Sequence, residues 1–215
     1  MRETDQLLER LVGDLEPVPV QGDIRLPAAL WLLGSAIWVV ALTQLSGPIR
    51  PNALEQLQTV PRFAGEIVLG MVALATLAIA AFRSAIPGYL TPGFSRVAFA
   101  LVAIWAGGYI LAIALPSLEP SMLGKRGHCY LETFAYTTPP LLVALWWQRR
   151  HYSLAPARSA VMAGLVAGGL SAVYMQIACM YLPLHGLAFH LGPALVVAAV
   201  APLLLSAWNR LANRG

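Results

Sequence analysis

Charged residues are scarce in this chain: they make up 11% of its 215 positions, while 58% are hydrophobic. Ordinary soluble domains carry about 25% charge. No water-soluble domain of this size hides that much apolar surface, so the shortage excludes a soluble globular protein. Cysteine is scarce as well, with two residues and no C-x-x-C pair, the usual signature of a thiol-exchange site. No serine-hydrolase elbow, P-loop or dinucleotide glycine pattern occurs. The glycine-rich stretch at 164–169 lies inside an apolar run, where small residues let helices approach one another.

What the chain has instead is a series of long apolar runs, at about 27–45, 63–82, 97–115, 129–147, 159–178 and 186–207. Each is close to the roughly 20 residues that cross a bilayer as a helix. Lipid offers no partner to an open backbone hydrogen bond, and the Ala/Gly/Leu/Val make-up suits helix packing rather than the alternation of a barrel. The sequence therefore predicts an all-α, polytopic membrane protein with six transmembrane helices. The first run is preceded by six acids, Glu3, Asp5, Glu9, Asp14, Glu16 and Asp23, and not by a short basic region, so it is not a cleavable signal peptide.

Orientation follows from the basic residues. With the N-terminus inside, the cytoplasmic segments hold Arg2, Arg10, Arg25, Arg83, Arg96, Arg149, Arg150, Arg158, Arg210 and Arg214, ten of the fourteen Lys plus Arg. Arg50, Arg62, Lys125 and Arg126 fall outside. Both termini are then cytoplasmic. The chain divides into a cytoplasmic head (1–26), a six-helix transmembrane unit (27–207) and a short cytoplasmic tail (208–215).

The head reads as a short amphipathic helix. Thr4 or Asp5 can cap it, Leu7, Leu8, Leu11, Val12 and Leu15 recur at helical spacing, and Pro17 with Pro19 ends it. Its acids outnumber its bases, so an anionic inner leaflet repels it and a protein partner is the better use of its apolar stripe. The plain alternative is a solvated tail with no partner. Glu66 and Glu132 are acids near span ends, where a snorkelling or helix-start role competes with proton relay.

Cys129, His128, Cys179, His185 and His190 all map to the outer ends of spans four, five and six. Thiolate and imidazole are the ligands preferred by zinc, cadmium and copper, and the outer face of a bacterial inner membrane also permits disulfides. Two chemistries stay open: a Cys129–Cys179 disulfide, or a metal or oxidant sensor using the same pair with His190 or His185 added. Against both stands the plain reading of each thiol as a small apolar filler.

The head "TDQLLERLVGDLEPVPV", the six spans, the motif "KRGHCYLETF" opening span four and the element "C…LAFHLGP" in spans five to six resemble the NrsF family. The resemblance covers essentially the whole chain. It implies a membrane-embedded anti-sigma factor of the bacterial inner membrane that holds an extracytoplasmic-function sigma factor and releases it on heavy-metal or oxidative stress. It implies that Cys129 and Cys179, with His190 and His128 beside them, sense the signal, either by transient metal binding through Cys129, Cys179 and His190 or by a Cys129–Cys179 disulfide. It also implies that the head, through Leu7, Leu8, Leu11, Leu15, Asp14 and Pro17, holds the sigma factor, with no direct contact to nucleic acid. The chain departs from the family pattern at Ala178, where a histidine often precedes the second cysteine, a change that favours redox chemistry over tight chelation.

Two other functions compete. An inner-membrane thiol–quinone oxidoreductase needs an exchangeable cysteine pair, for which only Lys125, Arg126 and His128 beside Cys129 speak. A small transporter or haem protein using His128 and His190 lacks a mid-depth histidine pair and an inverted repeat.

Overall fold

The computed structural model describes Gln6, Glu9, Val12 and residues 23–151 and 153–212. Gln6, Glu9 and Val12 are helical and exposed. Leu7, Leu8, Leu11, Asp14, Leu15 and Pro17, the expected partner-binding set, lie outside the described residues.

The described residues form six long helices: α1 (Arg25–Ser46), α3 (Pro61–Ser84), α4 (Pro92–Ala114), α5 (Cys129–Arg149), α6 (Pro156–Ala178) and the run α7 (Pro183–Ala212), with a short α2 (Ala53–Thr59) between α1 and α3. Among the described residues there is no strand beyond one isolated bridge, Ser121 to Tyr181. Pro61, Pro92, Pro156 and Pro183 each stand at the start of a helix, where the missing N–H has no intrahelical partner to lose. Thr91 completes the start of α4 by accepting the Phe94 N–H at 3.3 Å. Asn52, which precedes α2, makes no side-chain cap and instead takes a left-handed turn at φ 61°.

Five of the helices, α1, α3, α4, α6 and α7, are long and apolar enough to cross a membrane. The sixth expected span, α5, is 21 residues long but falls short in apolarity. Its sequence carries Glu132, Thr133, Thr137, Pro139, Pro140, Gln148 and Arg149, and of these Thr133, Thr137, Pro140 and Gln148 are buried in the protein. The polar side chains face inward: Thr137 Oγ1 meets Ser171 Oγ at 3.1 Å, and Gln148 donates to the Ser159 carbonyl at 2.8 Å.

Hydrogen bonds between helix ends fix an up-and-down order. At one end the close of α1, the start of α3, the close of α4, the start of α5 and the close of α6 are linked through Arg62, Ser117, Arg126, Tyr181 and the two cysteines. At the other end Ser84 of α3, Gln148 of α5 and Ser159 of α6 share a buried network, and Arg149 of α5 donates to Asn209 of α7 at 2.9 Å. The most buried helix is α6. A side-chain carbon on Gly164 would lie 2.7 Å from the Ala198 Cα, and one on Gly168 would lie 2.6 Å from the Ala194 Cα, so the backbones of α6 and α7 meet through bare glycine. Trp31 of α1 donates its indole N–H to the Pro140 carbonyl at 3.0 Å and packs its ring 5.5 Å from Phe82.

Candidate functional site

Cys129 is the first residue of α5, and Cys179 follows the last residue of α6. Both thiols are free and buried, at 3% and 0% exposure, and their sulfur atoms lie 3.1 Å apart. The contact exists because α5 and α6 run antiparallel and pack along their length, so a residue opening one meets a residue closing the other. A polar network at the far end of both helices holds the same register.

The histidines arrive from α7. At 3.6 residues per turn, positions five apart diverge by roughly 140° around a helix. Here Gly186–Leu191 is a π-helical segment, whose wider turn brings residues five apart back to one side. His185 and His190 therefore converge, with ring centroids 4.9 Å apart at 89°. His185 Nε2 stands 3.5 Å from Cys179 Sγ. The donor atoms of Cys129, Cys179, His185 and His190 all lie within 4.8 Å of one another.

His190 is 1% exposed, and neither of its ring nitrogens meets a hydrogen-bond partner among the described residues. Burying an imidazole with both nitrogens unpaired costs free energy, so the donor set fits a group that satisfies them. Two sulfurs and two ring nitrogens form the set that zinc, cadmium and related soft or borderline cations take in tetrahedral sites. His185, six residues after Cys179, supplies an imidazole directly beside that sulfur. His128, expected beside Cys129, is exposed at the cap of α5 and is not among these four.

Cys179 Sγ touches Cys129 Sγ and, beyond it, the His185 imidazole, with His190 in the same group of four. Arg50 is 3% exposed; its backbone N–H donates to the Ala178 carbonyl at 2.8 Å and its guanidinium lies over the rings of Phe63 (5.3 Å) and Tyr181 (5.7 Å). Burial pulls Arg50 below its ordinary value, and Tyr181 and Cys179 oppose this. Beside the cysteines a cavity of about 610 Å³ is lined by Met122, Lys125, Cys129, Met180, His185 and Phe189, among others, giving a route from the surface to the Cys129 side of the pair. The two suspect acids are paired: Glu66 with Arg62 at 3.4 Å and with Ser117 Oγ at 3.1 Å, and Glu132 with Arg126 at 2.7 Å.

Sequence reading named Cys129, Cys179 and His190, with His185 as an alternative ligand and Arg126 as a basic neighbour of Cys129; the structure brings the first four together, His185 by way of the π-helical segment. Sequence reading did not point to Arg50, whose surroundings are assembled from distant segments.

No curated protein and no solved structure matches the chain. A model of the family NrsF, negative regulator of sigma F, matches residues 11–210. That span holds five of the long helices whole and α7 up to residue 210, with both cysteines and both histidines of the cluster, and on it the chain belongs to the NrsF family.

Proposed function

We propose that this protein is an anti-sigma factor of the bacterial inner membrane that holds an extracytoplasmic-function sigma factor through residues 1–26 and releases it when the outer-face thiols react. The family match supports the regulatory half of this reading. The convergence of Cys129, Cys179, His185 and His190 on one buried point, with a cavity leading to it, carries the sensory half.

Six membrane crossings are supported by the matched run of α5 beside five apolar neighbours and by the inward turn of its polar residues. The end opposite the cysteines holds Arg83, Arg96, Arg149, Arg150, Arg158 and Arg210. Of the four bases at the cysteine end, Arg62 and Arg126 are ion-paired and Arg50 is buried against aromatic rings. The effective charge difference is therefore steeper than a residue count gives, and it favours a cytoplasmic N-terminus.

In this reading the leucines at 7, 8, 11 and 15 anchor the sigma factor and the acids around them select a basic face of it. Cys129 and Cys179 lie in contact, and the cavity reaches the pair at Cys129, so a reagent that meets one sulfur meets the other. A soft cation held by the two sulfurs with His185 and His190 would cross-link the start of α5, the close of α6 and the start of α7. A disulfide would join the first two of these elements through the same sulfur atoms. Either event changes how three helices meet at the outer face, and a coupling of about 1–3 kcal/mol shifts partner affinity by roughly 5- to 150-fold.

The test is retention of the sigma factor. Full-length protein in native membranes is expected to co-purify a sigma factor, and removal of residues 1–26 is expected to abolish this while leaving the membrane portion in place. Equal recovery of the sigma factor without the head overturns the reading. Quinone-dependent thiol oxidation by the purified protein, with no sigma factor bound, would favour the oxidoreductase.

A further inference from the structure

Arg126 sits in the loop before α5, at 9% exposure, and every one of its five N–H donors is used. Its Nε donates to Glu132 Oε2 at 2.7 Å, in the first turn of α5. Its Nη1 donates to the carbonyls of Gly47 at 3.2 Å and Pro48 at 3.0 Å, and its Nη2 to the Thr43 carbonyl at 3.0 Å and Ser46 Oγ at 2.7 Å. Four of the five acceptors thus belong to the last turn of α1 and the two residues after it. The closing carbonyls of a helix lack intrahelical partners and form the negative end of its dipole, so a buried guanidinium is a strong cap for them. At the same time the backbone carbonyl of Arg126 accepts the Cys129 S–H at 3.3 Å. One residue is therefore bonded to the thiol cluster through its main chain and to α1 through its side chain.

We infer that Arg126 is the residue that carries a change at the Cys129–Cys179 cluster to α1, the helix whose other end leads into the N-terminal head. Once the Cys129 sulfur loses its proton, whether to a metal or to oxidation, the hydrogen bond to the Arg126 carbonyl has no donor. The peptide at 126 is freed and the sulfur moves toward its new partner. The guanidinium is planar with donors in fixed directions, so a rotation of the Arg126 main chain cannot leave all four contacts to α1 intact. At 1.5 Å per residue the 22 residues of α1 span roughly 33 Å, so a displacement at its Arg126 end is carried to the end that leads into the head. Glu132 anchors the fork to α5, which makes the response follow the cysteine that opens that helix. The output of this device rests on the anti-sigma reading above, but the mechanical link does not.

The experiment uses the purified full-length chain, treated in parallel with cadmium chloride or with the thiol oxidant diamide, with maleimide labelling after denaturation reporting whether Cys129 and Cys179 have reacted. Hydrogen exchange is followed at the amides of residues 43–47. In the wild-type protein either treatment is expected to change exchange there by about tenfold. In Arg126→Gln the thiols are expected to react as before while exchange at 43–47 is fast beforehand and unchanged by treatment. Arg126→Lys, which keeps the charge but not the fork, is expected to lose most of the response, and Ser46→Ala, which removes one of the four α1 contacts, part of it. If Arg126→Gln does not accumulate in membranes, the lysine and alanine variants decide.

Reacted thiols with an unmoved α1 in the wild type, or a full response in both Arg126→Lys and Ser46→Ala, overturns the inference. Thiols that react with neither reagent overturn the sensory reading and this inference together. An α1 that responds while a co-purified sigma factor stays bound upholds the link and overturns signal-triggered release alone.

Discussion

Cys129 Sγ lies 3.1 Å from Cys179 Sγ although the two residues are fifty apart in the chain. Neither thiol has an independent environment, because each is the nearest polar neighbour of the other. Replacing both with serine is expected to preserve sigma-factor retention and to abolish induction by cadmium or peroxide, and either single serine variant is expected to lose as much as the double, since one sulfur makes neither a disulfide nor the full donor set. A sigma-dependent reporter measures this. Full induction in the double variant refutes thiol sensing.

The donor set predicts an order of cadmium affinities. His190→Ala and His185→Ala are each expected to weaken binding by at least about tenfold, the loss commonly seen even for residues one step removed from a metal. His128→Ala is expected to leave it unchanged, because that side chain is exposed and outside the group of four. Competition titration against a coloured chelator reads the affinities, and an equal loss from His128→Ala would mean the set has been drawn around the wrong histidine.

Gly168 and Gly107 differ only in their neighbours. A side-chain carbon at Gly168 would lie 2.6 Å from a backbone atom of α7, whereas nothing lies within 4 Å at Gly107. Gly168→Val is expected to force α6 and α7 apart and to cost about 1–3 kcal/mol, while Gly107→Ala is expected to be neutral or mildly stabilising. Thermal unfolding in detergent compares them, and similar melting temperatures would show that the close approach is not needed.

Orientation is tested in intact cells. With both native cysteines changed to serine, Lys125→Cys is expected to react with a membrane-impermeant maleimide, and a cysteine placed at Met1 is expected to react only after the cells are opened. Labelling of both positions from the same side would end the proposed separation of sensor and head.

The amino-acid order by itself determined where the long helices are. The apolar runs at 27–45, 63–82 and 159–178 became Arg25–Ser46, Pro61–Ser84 and Pro156–Ala178, because a run of this length and composition forms a helix in lipid whatever its neighbours do. Prolines at the starts of four helices sharpen those limits with local information alone. The run at 129–147 also became a helix, but its polar content makes its apolar character depend on what it packs against. That is a tertiary property, and it is why the count of clearly apolar helices is five.

Only the tertiary structure decided how the outer-face residues meet. On a regular helix His185 and His190 would diverge by roughly 140°, and the π-helical segment turns them to one side of the bundle. Arg50 and Arg126 read as two ordinary loop cations. One is buried over Phe63 and Tyr181, and the other satisfies five acceptors drawn from α1, the residues following it and α5. Helix formation is governed by hydrophobicity and backbone bonding within some twenty neighbouring residues, so it can be read along the chain. The cluster and its link to α1 depend on contacts between residues fifty to eighty positions apart, whose register is set only when the helices have packed.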